Sequence, residues 1–137
     1  MKMALSKKEL YRRSNEEFLH ELKKKSGVGE LEGGILYEVI KSSDKKLSPN
    51  INSIVTVNYS GKLINGKEFD STIKRNCPEA FRLRDVIDGW QIALQNMNLG
   101  DRWIIYIPYD LGYGNKSNGD IPAFSTLVFD VELLGVM

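Results

Sequence analysis

Val55-Thr56-Val57-Asn58-Tyr59-Ser60-Gly61-Lys62-Leu63 sets Val55, Val57, Tyr59 and Leu63 on one side of an extended chain, with Thr56, Asn58 and Lys62 on the other. Alternation of this kind marks a strand with one buried face. Asn65-Gly66 follows, the strongest short-range hairpin signal, and Lys67-Glu68-Phe69 runs back. The chain reads outward from this hairpin.

Downstream, Pro78 ends a loop, and Val86 to Met97 carries Trp90, Ala93, Leu94 and Met97 along one side of a predicted helix. Asn98 and Gly100 stop it. Trp103–Ile107 and Thr126–Leu134 are predicted strands, joined by a glycine-rich loop from Leu111 to Phe124. Upstream, Ile35–Ile40 is a further strand after Gly33-Gly34, and Lys41–Asn50, with Pro49, is a polar loop. Several strands and one amphipathic helix predict an α+β fold, an antiparallel sheet wrapped around one short central helix.

Residues 1–34 read as a helical N-terminal extension to a domain spanning 35–137. Ser6 with Glu9, and Ser14 with Glu17, both have capping-box spacing, so one helix or two is predicted. Tyr11, Phe18, Leu19 and Leu22 form an apolar stripe, ended by Lys23-Lys24-Lys25 and Gly27. The stripe packs on the protein's own body or on a second copy, so a monomer or a weak dimer through this helix is expected.

Composition removes several functions. The chain has 137 residues, 42% hydrophobic and 27% charged, with a net charge of +1. That balance asks for no nucleic acid and no acidic membrane. No run approaches the ~18 apolar residues of a membrane span. Cys77 stands alone, and the single histidine, His20, sits in a charged segment, so neither a triad nor a zinc site is expected. Gly112-Tyr113-Gly114 lacks the third glycine of a nucleotide fingerprint. No metal and no cofactor are predicted. Met1 to Ser6 turns charged at Lys7 without an apolar signal core, which predicts a cytoplasmic protein, or a periplasmic one if a leader has been trimmed.

The words of the sequence go further than its periodicity. Val55 to Leu63, Asn65-Gly66, Phe69-Asp70-Ser71, Val86-Ile87-Asp88-Gly89-Trp90, Met97 to Gly100, Ile107-Pro108 to Tyr113-Gly114, Ile121-Pro122 and Ser125 to Leu133 occur in order. Together they closely resemble the FKBP-type prolyl isomerases, the receptors of tacrolimus and rapamycin, over about residues 35 to 137. Phe18 to Ile40 also looks like the region preceding the isomerase domain in bacterial members of the Mip type.

The resemblance implies cis–trans isomerisation of X-Pro bonds in proline-containing polypeptides, assisting protein folding, with tacrolimus or rapamycin as inhibitors. It implies an aromatic cleft walled and floored by Tyr59, Phe69, Trp90 and Phe129, with Phe81, Val86, Ile87 and Ile121 around the mouth. Tyr113 would offer a hydroxyl at the rim and Asp70 a carboxylate inside, supported by Arg75 and the Tyr59 hydroxyl. Asp70, Trp90 and Tyr113 are the implied catalytic residues. The alternative function is a noncatalytic module that docks proline peptides in the same cleft.

Four residues depart from the family pattern. Asp120 stands where aliphatic residues are frequent, Ala123-Phe124 replaces a proline-containing or small polar pair, and Gly112 replaces a common alanine.

The strand Trp103-Ile104-Ile105-Tyr106-Ile107 is apolar on both faces, unlike a strand with one side in water. By analogy with the family, Ile104 and Tyr106 are expected to face the central helix. The N-terminal stripe would then cover Trp103 and its two isoleucines, away from the cleft.

Overall fold

One long helix opens the chain. In the computed structural model, which describes residues 4–137, α1 runs over Lys7–Leu22. The first three residues of the expected extension lie outside that range. The Ser6 hydroxyl caps α1 by accepting from the Glu9 amide at 3.1 Å. Ser14 caps nothing. Its hydroxyl donates to the Leu10 carbonyl one turn back at 3.0 Å, which a mid-helix serine can do without breaking the helix.

The strands follow as β1 (Gly29–Glu30), β2 (Leu36–Lys41), β3 (Ile54–Lys62) and β4 (Glu68–Ser71). A short helix α2 (Thr72–Arg75) leads to β5 (Glu79–Arg82), and then come α3 (Asp88–Leu94), β6 (Arg102–Ile107) and β7 (Leu127–Val136). All pairings are antiparallel, in the order β1-β2-β6-β7-β3-β4, with β5 also on β3. One edge of β3 is thus shared. Ile54–Val57 pairs with β5 and Ser60–Lys62 with β4.

The hairpin after β3 is not a two-residue turn centred on Asn-Gly. Only Gly66 takes a positive φ, +87°, and Asn65 does not. The Gly66 amide donates to the Leu63 carbonyl and the Leu63 amide to the Lys67 carbonyl, both at 2.9 Å. This is the three-residue loop with glycine in the left-handed position.

The central helix α3 is shorter than the predicted 86–97. Val86 and Ile87 are extended, with ψ of 172° and 150°. The Gln91 side-chain amide donates to the carbonyls of Val86 (2.9 Å) and Arg84 (3.2 Å), so this segment needs no helical partners. Trp90, Ala93, Leu94 and Met97 still face the sheet and are buried.

The two faces of β6 are the reverse of the expectation. Trp103, Ile105 and Ile107 lie in the main core with α3, while Ile104 and Tyr106 lie on the outer face with Phe18, Leu19 and Leu22. The register decides this. Directly opposed residues share a face, and Trp103, Ile105 and Ile107 oppose Val131, Phe129 and Leu127. Those three point at α3, so their partners must as well. Trp103 is covered from inside the sheet, stacked on Tyr37 with ring centroids 4.4 Å apart. The helix α1 does cover the outer face of its own chain's sheet, but its target is Tyr106, whose ring centroid is 6.1 Å from that of Phe18.

Candidate active site

A cleft of about 680 Å³ opens between β3, β4, β5, the start of α3 and the loop joining β6 to β7. Tyr59, Phe69, Asp70, Phe81, Val86, Ile87, Trp90, Tyr113, Ile121 and Phe129 all line it. Arg75, from α2, is not in the lining and reaches Asp70 instead.

Strand alternation positions the walls. Tyr59 and Gly61 on β3, and Phe129 on β7, point inward, and the β3–β7 register sets Gly61 directly opposite Phe129. Trp90 closes the floor because α3 delivers it in its first turn. The rings meet edge to face. Trp90 is 5.1 Å from Tyr59, 5.2 Å from Phe129 and 5.7 Å from Phe81, at interplanar angles of 84–87°. Phe69 stands edge-on to Phe129 at 5.6 Å. This geometry suits the charge distribution of the rings and fixes Tyr59, Phe81, Trp90 and Phe129 each against two or more others.

Asp70 sits on the cleft wall with its acceptors occupied. The Tyr59 hydroxyl donates to Oδ2, while Arg75 at 2.5 Å and the Ser71 amide at 2.9 Å donate to Oδ1. Burial pushes the Asp70 pKa up, but these donors outweigh it, and the carboxyl titrates below its ordinary value. Burial, then the bond to Asp70, pushes Tyr59 well above the ordinary phenol range. Both shifts keep Tyr59 the donor and Asp70 an ionised acceptor. Arg75 also lies 3.6 Å from Glu79.

At the rim Tyr113 is 38% exposed, and among the described residues its hydroxyl has no hydrogen-bond partner. The lining also holds Glu79, Asp85, Asn118, Gly119 and Asp120. Of these, sequence reasoning singled out only Asp120. The rest are polar residues in loops and on an edge strand, where no periodicity marks a side chain as inward. The described lining therefore carries four carboxylates and no lysine or arginine.

Gly61 has to be small. A Cβ there would lie 2.7 Å from Phe69 Cε1 and 2.8 Å from Phe129 Cε1. Both are rigid rings already packed on each other. Gly61→Ala is expected to cost about 1–3 kcal/mol through overpacking, read as a lower urea midpoint, and to spread the wall formed by these rings. A midpoint equal to that of the native chain would show that the rings yield freely.

Residues 45–134 match the family described as FKBP-type peptidyl-prolyl cis-trans isomerase. The peptidyl-prolyl cis-trans isomerase Mip of Coxiella burnetii is 45% identical over 120 residues, covering 87% of this chain and 52% of that protein. The FKBP-type 22 kDa peptidyl-prolyl cis-trans isomerase of Escherichia coli is 43% identical over 121 residues, covering 88% and 58%. The chain thus spans about half the length of the curated relatives it matches. Among solved structures, a peptidyl-prolyl cis-trans isomerase from Pseudomonas syringae superposes with a TM-score of 0.88 at 38% identity, covering 98% of each chain. The crystal structure of FkpA from Escherichia coli gives 0.86 at 41% identity, covering 95% of this chain and 62% of that one. With its antiparallel sheet, central helix and N-terminal helix, the chain belongs to the FKBP-type peptidyl-prolyl cis-trans isomerases and is Mip-like.

Proposed function

We propose that this protein accelerates cis–trans rotation of X-Pro peptide bonds in polypeptides, assisting their folding by noncovalent catalysis in the aromatic cleft. The observation that carries the reading is an ionised carboxylate held by Tyr59 and Arg75 in the wall of a cleft floored by an indole.

Rotation about a peptide bond faces a barrier of about 18–20 kcal/mol because planarity carries resonance. No bond is made or broken, so neither nucleophile nor proton relay is required. The planar amide is the more charge-separated form and is favoured by water. An apolar cleft that strips water disfavours it relative to the twisted form. To accelerate rotation, the cleft must fit the twisted shape better than the flat one, since equal binding of both leaves the barrier unchanged. In this reading the proline ring lies on Trp90, and the rim hydroxyl of Tyr113 holds a substrate carbonyl as it turns. Asp70 acts as a fixed negative charge on the wall and as the anchor of Tyr59, not as a base.

The test is NMR exchange spectroscopy on a short X-Pro peptide with and without rapamycin. Faster exchange that rapamycin abolishes supports the enzyme. Peptide binding with no change in exchange rate supports the docking module instead.

The carboxylates at the mouth bear on substrate choice. Asp70 and Glu79 share Arg75, whereas Asp85 and Asp120 form no ion pair among the described residues. Peptides with lysine or arginine beside the X-Pro pair are expected to show a lower KM than glutamate counterparts. That gap is expected to narrow from low to 0.5 M salt as screening grows. Equal KM values at low salt would remove the charge of the mouth as a determinant.

A further inference from the structure

The helix α1 lines no part of the cleft, yet it grips the loop that does. Tyr113 and Asn118 to Ile121 all lie in the connection from β6 to β7, residues 108–126. Loops this long are uncommon in compact domains unless they serve a function. Both roots of this one are tied to the middle of α1, at Asn15 and Glu16. At the first root, the Tyr109 hydroxyl donates to Glu16 at 2.7 Å. At the second, Asn15 is fully buried, and its Oδ1 accepts from the Thr126 amide at 2.7 Å. The Asn15 side-chain amide donates to the Tyr11 carbonyl at 2.8 Å, so both ends of the group are used.

The single hydroxyl proton of Ser125 orients the next link. The Ser125 hydroxyl donates its one proton to the Pro122 carbonyl at 2.6 Å. The 2.7 Å contact between Tyr11 and Ser125 must then be donated by Tyr11. The relay Tyr11 to Ser125 to Pro122 ends next to Ile121 in the cleft lining.

Phe124 supplies the third tie. Its φ of +65° lies in the left-handed region, which is costly for a large side chain and persists only where the surroundings over-determine it. Its amide donates to the carbonyl of Gly114, the neighbour of Tyr113, at 2.9 Å. Its ring stands edge-on to Tyr109 at 5.1 Å and lies under Arg12 (5.1 Å) and Lys8 (5.5 Å) of α1. The strained residue is therefore held from the helix side and passes its position to the rim.

We propose that α1 is a positioning element for the isomerase reaction. Tyr11, Asn15 and Phe124 hold the β6–β7 loop in the conformation that sets Tyr113 and Ile121 at the cleft, so turnover depends on a helix that never meets substrate. This rests on the isomerase reading above. The family's sequence blocks would place all activity within residues 35–137; the ties from Tyr11 and Asn15 extend the working unit into α1.

The test uses the full chain in three forms: native, Tyr11→Phe/Asn15→Ala, and Phe18→Ala, which loosens the C-terminal turns of α1 where they meet Tyr106. Peptide exchange gives kcat and KM, urea gives stability, and amide NMR signals of Tyr113 and Ile121 report the loop. The double variant is expected to lose roughly three- to tenfold in kcat with little change in KM, and to shift or broaden both loop signals. Phe18→Ala is expected to lower the urea midpoint while leaving kcat and those signals in place. Native kcat and unmoved loop signals in the double variant would overturn the proposal. So would a Phe18→Ala loss of kcat in step with its loss of stability. If the double variant does not fold, Phe124→Gly, which keeps the backbone conformation accessible and removes the ring, carries the same expectations. If the native chain does not accelerate exchange, the isomerase reading fails, and the loop signals alone decide whether α1 holds the loop.

Discussion

Trp90→Ala is expected to lower stability by about 3–5 kcal/mol, the usual cost of emptying a buried tryptophan site, and to abolish measurable isomerisation. Trp90 is 4% exposed and meets the rings of Tyr59, Phe81 and Phe129 at once. None of these can collapse into the space, because each is fixed by β3, β5 or β7. The drop in melting temperature is expected at roughly 10–25 °C for a domain of this size. Trp90→Phe keeps an aromatic floor and is expected to recover most of the stability and part of the rate. A melting temperature for Trp90→Ala within a few degrees of native would show that α3 shifts to refill the site.

The second large effect is expected at Asp70. Asp70→Ala should reduce kcat/KM by roughly ten- to a hundredfold, the consequence of losing one oriented charged contact of about 1.5–3 kcal/mol, while the domain stays folded. Tyr59 would lose its acceptor and Arg75 its closest ion-pair partner. Tyr113→Phe is expected to cost less, since that hydroxyl is exposed and unpartnered among the described residues. The sign of the pH effect follows from the depressed Asp70 pKa. A group that titrates lower in the folded state contributes fully above its unfolded value of 3.8 and less as pH falls through the folded one. The stability advantage of the native chain over Asp70→Ala, read from urea midpoints, is thus expected to be constant from neutrality to about pH 5 and to shrink in strong acid. An Asp70→Ala variant with native kcat/KM would leave shape and dryness as the sole means of catalysis.

How much of this was legible in the sequence depends on where each signal lies. The hairpin of β3 and β4 shows in alternation and in Asn65-Gly66, and the aromatic lining shows in motif words spread from Tyr59 to Phe129. The orientation of β6 was not readable. Leu127, Val131 and Leu133 mark the inner face of β7, but β6 is apolar on both sides, and only the register between the two strands decides which of its faces joins them. Asn15 was not readable. A lone asparagine on a helix gives no sign that it will be fully buried and bonded to Thr126, because its partner is set by tertiary docking. The short β5 and α2 were equally silent, each being held by the edge of β3 and not by a pattern of its own.

The place of β7 in the sheet bears on how the chain reaches this state during synthesis. It follows the other six strands of the sheet along the chain and yet lies between β6 and β3, the strand order being β1-β2-β6-β7-β3-β4. Until it arrives, β1-β2-β6 and β3-β4-β5 are two fragments that share no strand contact, each with an open edge. Pairing of such distant segments is slow because chain closure must precede any gain from contact. The nascent chain therefore has to wait for Leu127–Val136 before the two halves can be joined. Exposed edges of that kind are where chains pair wrongly with their neighbours, so the interval before β7 emerges is when the two half-sheets are most open to mispairing.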